Sequence, residues 1–126
     1  MILRRSAPRP SILVVDDDPD VRGLLAILFD REGYEVVTAI DGEAALAYAG
    51  DSRIGLIFLD LQMPRVDGRG FCRAYRERGG RAPIVLLTAA DIEPGDVARF
   101  GFDAYIAKPF DVERVLDAVA EHLPKR

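Results

Sequence analysis

Short runs of β-branched and aliphatic residues alternate with amphipathic stretches from one end of this chain to the other, and that alternation limits the fold more than any other feature. Ser11-Ile-Leu-Val-Val15 is an unbroken apolar run, the pattern of a strand covered on both faces. Asp18-Pro19 then supplies an N-cap with proline at the first helical position. Val21, Leu24, Leu25 and Leu28 recur at helical spacing until Gly33 stops the helix. Glu35–Ala39 reads as a second strand, residues 41–49 as a short helix closed by Gly50, and Gly55–Asp60 as a third strand. A loop containing Met63-Pro64 leads to a helix over 67–78 that buries Phe71 and Tyr75, and Gly79-Gly80 ends it. Pro83–Thr88 is a fourth strand and Asp103–Lys108 a short fifth. Asp111 caps a last helix with Val112, Val115, Leu116 and Val119 on one face. Between the last two strands only a short helix, Pro94–Phe100, is predicted.

Five βα units in succession imply a parallel sheet with helices on both faces, a doubly wound α/β fold. The 126 residues are 49% hydrophobic and 30% charged, which is enough for one core and too apolar for disorder. Residues 11–123 form the expected domain, with 1–10 as an arm and 124–126 as a tail or the start of a linker. No apolar run approaches the ~20 residues of a membrane span. The positive charges at the start have no apolar segment behind them, and the single cysteine, Cys72, cannot form an internal disulfide. The expectation is a cytoplasmic protein without a membrane partner. A net charge of −4 argues against nucleic acid as a direct ligand.

The informative residues are those at which the apolar runs end. The first strand runs into Asp16-Asp17-Asp18, the third into Asp60, the fourth into Thr88 and the fifth into Lys108. Ligands of open parallel sheets bind outside the carboxyl ends of the strands, so carboxylates, a hydroxyl and an ammonium should share one crevice. Polar residues after a strand are unremarkable singly; it is the set that points to a site. Two unit charges ~5 Å apart repel by roughly 3 kcal/mol at an effective dielectric near 20, so clustered carboxylates call for a cation or protons. With no histidine or thiolate set beside them, hard oxygen ligands suit Mg²⁺ or Mn²⁺. A divalent ion beside an ammonium and a hydroxyl makes a site for a phosphoryl group, and a carboxylate at the tip of the central strand can accept it. No P-loop or dinucleotide fingerprint is present, since Asp67-Gly-Arg-Gly70 lacks the third glycine.

Taken together, ILVVDDDPD, LIFLDLQMPRVDG, IVLLTA and DAYIAKPF resemble, in this order, the receiver domains of two-component response regulators, over about residues 11–123. The resemblance implies a flavodoxin-like sheet of order 2-1-3-4-5. It makes Asp60 the phosphoacceptor, and Asp16 and Asp17 the acidic pair that holds Mg²⁺ together with Asp60 and the backbone carbonyl of Gln62. Thr88 takes the place of the switch hydroxyl, Tyr105 of the switch aromatic and Lys108 of the phosphate-pairing lysine, with a cis bond to Pro109. The implied partners are a sensor histidine kinase or phosphotransfer protein and an output domain or protein on the face made by the fourth helix, fifth strand and fifth helix. A homodimer on phosphorylation is a further implied partner. Such a domain catalyses its own phosphorylation and dephosphorylation without turning over a metabolite. The sequence departs from the family between Thr88 and Lys108, where the spacing is short and Pro94-Gly95 intervenes, so the fourth helix should be short or displaced.

Asp18 is read as the cap before Pro19 rather than as a ligand. A competing class, the Mg²⁺-dependent phosphohydrolases with an aspartyl nucleophile after the first strand, would use the Asp16–Asp18 spacing but leave Asp60 without a role. Cys72 is read as a small buried hydrophobe, His122 as a helix-terminal cation, and Arg73, Arg76, Arg78 and Arg81 as a solvated charge run.

Overall fold

A computed structural model describes residues 10–63 and 66–123; the arm before Pro10, the tail after Leu123 and Pro64 of the Met63-Pro64 loop lie outside the described residues. Among the described residues ten elements alternate: β1 (Ser11–Val15), α1 (Pro19–Arg31), β2 (Glu35–Ala39), α2 (Gly42–Leu46), β3 (Ile54–Leu59), α3 (Gly68–Glu77), β4 (Ile84–Thr88), α4 (Pro94–Arg99), β5 (Ala104–Ala107) and α5 (Val112–His122). All strand pairs are parallel and the order is β2-β1-β3-β4-β5, as expected of a doubly wound sheet.

Alternation along the strands divides the core in two. Leu13, Val15, Ile57, Leu59, Ile84 and Leu86 point to the side that receives Ala45 of α2 and Phe71 and Tyr75 of α3. Ile12, Val14, Leu56, Phe58, Val85 and Leu87 point to the other, against Leu25 and Phe29 of α1 and Val115, Ala118 and Val119 of α5. Phe29 stacks on Phe58 at 5.2 Å between ring centroids.

Several helical expectations shift. Leu24 is 47% exposed and Ile27 63%, because Leu25 and Phe29 set the inward face of α1. Val112 is also exposed, and burial on α5 begins a turn later at Val115. Asp111 stands at the N-cap of α5 without a side-chain cap bond. The helix expected over 41–49 is α-helical only to Leu46, and the N–H groups of Ala47, Tyr48 and Ala49 close i→i−3 turns instead. Arg76 is not a solvated charge: it donates to the carbonyls of Ala82 (2.8 Å) and Gly80 (3.3 Å) and pairs with Asp103 at 3.6 Å. It fastens the end of α3 to the entries of β4 and β5. The short fourth helix is present, with six residues and none of them buried.

Candidate functional site

The register of the sheet brings the strand tips together. Val15 pairs with Leu59 across β1 and β3, so Asp16 and Asp60 follow at adjacent tips, and the Asp60 N–H donates to Val15 O at 3.0 Å. Thr88 ends β4 on the other flank of β3, and the N–H of Lys108, just past β5, donates to Thr88 O at 2.9 Å. The bond from Lys108 to Pro109 is cis. Asp16, Asp60 and Thr88 are buried, whereas Asp17 is exposed.

Within this crevice the polar groups are closely partnered. Thr88 Oγ1 donates to Asp60 Oδ1 at 2.7 Å, and the Gln62 N–H donates to the same oxygen at 3.1 Å. Lys108 Nζ donates to Asp60 Oδ2 at 3.2 Å and to Asp16 Oδ2 at 2.7 Å. Asp16 Oδ1 accepts from the Asp18 N–H at 2.9 Å, while the Asp18 carboxylate caps α1 by accepting from the Asp20 N–H. Three consecutive aspartates thus have different work: two face the crevice and one begins the helix.

One carboxylate oxygen each from Asp16, Asp17 and Asp60 lie within 4.8 Å of one another. Among the described residues, Lys108 is the cation whose charge pairs directly with these carboxylates, at Asp16 and Asp60. Burial pushes the Asp16 carboxyl above its usual range, against the hydrogen bonds from Lys108 and the Asp18 N–H that pull it down. Burial works against the Lys108 ammonium too, but its bond to Asp16 and the charges of Asp16 and Asp60 together raise it above its ordinary value. One ammonium thus faces three carboxylates in the crevice. The donor set is all hard oxygen and under-neutralised, so it fits a small divalent cation.

A hydrogen-bonded path leaves the site. The Ala90 N–H donates to Thr88 Oγ1 at 3.2 Å, and the Tyr105 hydroxyl donates to Ala90 O at 3.3 Å. Two features here were not singled out from sequence. Arg22, one turn past Asp18 on α1, donates to Asp16 O at 2.8 Å and braces the acidic loop; a cation four residues beyond the N-cap is the signal that could have marked it. Gly68 lies where a Cβ would stand 2.8 Å from Leu61 Cα and 3.0 Å from Asp60 O, so α3 starts directly against the backbone that carries Asp60.

Residues 12–120 match the family described as "Response regulator receiver domain", and the chain belongs to that family. It is 33% identical to the protein PilG of Pseudomonas aeruginosa over 117 residues, which cover 90% of this chain and 87% of PilG. It is 42% identical over 106 residues to PhoP, the alkaline phosphatase synthesis transcriptional regulatory protein of Bacillus subtilis, covering 82% of this chain and 44% of PhoP. The chain spans about half the length of such transcriptional regulators, 47% in the case of RpaA from Synechocystis. Among solved structures, chemotaxis protein CheY4 of Vibrio cholerae superposes with a TM-score of 0.81 at 32% identity, over 91% of this chain and 99% of that one. The response regulator TrrA of Thermotoga maritima, solved in complex with Mg(2+)-BeF, gives 0.79 at 35% identity, over 90% of this chain and 99% of TrrA. Among the described residues no helix is long and apolar enough to cross a membrane.

Proposed function

We propose that this chain is a phosphorylation-controlled switch in which Asp60 accepts a phosphoryl group from the phosphohistidine of a sensor histidine kinase or phosphotransfer protein. The observation that carries this reading is the environment of Asp60: a buried carboxylate at the tip of the central strand, contacted by Thr88, Lys108 and the Gln62 N–H and flanked by Asp16 and Asp17. In the transfer the phosphorus–nitrogen bond to the imidazole breaks and a phosphorus–oxygen bond to an Asp60 carboxylate oxygen forms. The leaving imidazole takes up a proton as its electron pair is freed. Lys108 holds the carboxylate in place and supplies fixed positive charge to the phosphoryl oxygens; Thr88 turns its hydroxyl hydrogen from Asp60 to one of them. Asp16, Asp17, Asp60 and the backbone carbonyl of Gln62 would hold Mg²⁺, with Mn²⁺ as a substitute. When bound, the ion supplies charge neutralisation for the attacking and transferred oxygens.

Movement of the Thr88 hydroxyl would reach Ala90 and Tyr105 through the bonds already described, and so the fourth helix–fifth strand–fifth helix face on which an output domain or protein would dock. Phosphohydrolase chemistry on Asp16–Asp18 is not favoured, because the Asp18 carboxylate is spent on the helix cap. Incubation with acetyl phosphate and Mg²⁺ is expected to add one phosphoryl group, read by intact mass, and Asp60→Asn to abolish it. Equal labelling of the substituted protein would overturn the assignment.

A further inference from the structure

One face of α3 carries Arg69, Arg73 and Arg76 at i, i+4, i+7. Together with Arg99 and Phe100 at the end of α4, these residues line an open groove of about 550 Å³. This is a basic surface on a chain whose net charge is −4. Arg76 is committed to the fold through Ala82 and Asp103, and Arg99 has Asp96 as a partner at 3.5 Å. Among the described residues no carboxylate is paired with Arg69 or Arg73, and both are exposed.

The half-buried Phe100 ring lies beneath two of the groove's cations, Arg69 and Arg99. The Arg69 guanidinium carbon stands 4.2 Å from its centroid and that of Arg99 5.5 Å. A free arginine loses rotamer entropy when a partner fixes it, and stacking on a ring removes part of that cost in advance. Pre-ordered guanidinium forks beside an aromatic ring are a composition typical of protein interfaces and suited to bidentate carboxylates.

We infer that the α3–α4 groove is a docking site for a short acidic segment of a partner protein. Charge complementarity selects that occupant over a nucleic acid. Asp67 and Asp91 stand beside Arg69 in the adjoining cavity, and Asp103 lies at the other end beside Arg76. A continuous polyanion would run onto these carboxylates, whereas spaced carboxylates a few residues apart can meet Arg69, Arg73 and Arg99 and stop. The docking does not require phosphorylation of Asp60.

A fluorescein-labelled peptide, Glu-Leu-Glu-Glu-Leu-Glu-Glu, serves as the probe, with its all-glutamine counterpart and a thymidine oligonucleotide of equal charge as comparisons. Fluorescence anisotropy with the intact chain is expected to show salt-dependent binding of the acidic peptide, weakened about tenfold or more in Arg69→Ala/Arg73→Ala. Arg69→Lys/Arg73→Lys should fall between the two, because it keeps the charge and loses the fork and the stacking. Amide chemical-shift changes should centre on Arg69, Arg73, Arg99 and Gly101. Both substituted residues are exposed, so melting and acetyl phosphate labelling should match the parent and separate this inference from the assignment of Asp60. Undiminished peptide binding to the alanine variant, shifts centred elsewhere, no binding of the acidic peptide, or tighter binding of the oligonucleotide would each overturn the inference.

Discussion

At the scale of single residues, the three adjacent aspartates are separated by what each side chain accepts. Asp17→Ala removes an oxygen from the carboxylate cluster, and Asp18→Ala removes the cap bond to Asp20. The first substitution is therefore expected to weaken Mg²⁺ binding, followed by calorimetry, and to slow acetyl phosphate labelling. The second should cost about 1 kcal/mol of stability while leaving Mg²⁺ affinity near that of the parent. Greater loss of Mg²⁺ binding from Asp18→Ala would reverse the assignment. Lys108 gives a pH-dependent counterpart. Its folded-state pKa is raised above the ordinary 10.5, so its contribution is fully present below that value and is lost as pH rises through the folded one. Asp16 acts in the opposite sense: its carboxyl is raised, so the fold bears a growing penalty as pH climbs past the ordinary 3.8. Lys108→Met without Mg²⁺ should destabilise by roughly 2–3 kcal/mol, toward the low end for a broken buried pair because the ammonium retains some exposure. Urea midpoints should show that difference constant between about pH 7 and 9 and shrinking above the unfolded lysine value.

At the scale of elements, α4 differs from its neighbours. None of its residues is buried; the segment is held by half-buried Val97 and Phe100 against the α2–α3 side of the core and by the Cys72 thiol on the carbonyls of Phe100 (3.5 Å) and Gly101 (3.7 Å). Low burial means a low free energy of local opening. Amide exchange over 91–102 is expected to be fast in the resting chain and to slow with beryllofluoride and Mg²⁺, while β1 and β2 barely change. Protection in that segment equal to β3, or indifference to the mimic, would rule out an output route through it. At Gly68 the constraint is steric. Gly68→Ala forces the backbone at Leu61 or the start of α3 to move, and is expected to lower labelling of Asp60 more than it lowers the melting temperature. Element positions were readable from sequence because caps and stops act locally: Asp18, Pro19, Gly33, Asp67 and Gly79 each sit at a helix boundary. Leu24, Val112 and Arg76 were misread because burial of one side of a helix depends on where the sheet lies, which helical spacing leaves undefined.

Across the whole molecule, stability rests on two apolar layers that share one sheet. Phe58 is 1% exposed and stacked on Phe29, so Phe58→Ala opens a cavity at the centre of the α1–α5 side. The expected cost is about 3–5 kcal/mol, a large fraction of the roughly 5–15 kcal/mol typical of a domain, and urea denaturation measures it. The sequence by itself determined the class of fold, since five apolar runs separated by helical stretches can be buried only in a parallel sheet covered on both faces. It also determined which residues stand at the strand ends, because each apolar run must stop where the backbone leaves the sheet. Only the tertiary structure decided how those ends meet. Strand order places Asp16 and Asp60 side by side, Thr88 beyond them and Lys108 across both carboxylates, through contacts spanning 28 to 92 residues of chain. It likewise decided that three arginines of α3 share a groove with Phe100. Local pattern determines what an element is, whereas the meeting of distant side chains depends on packing free energies summed over the whole sheet.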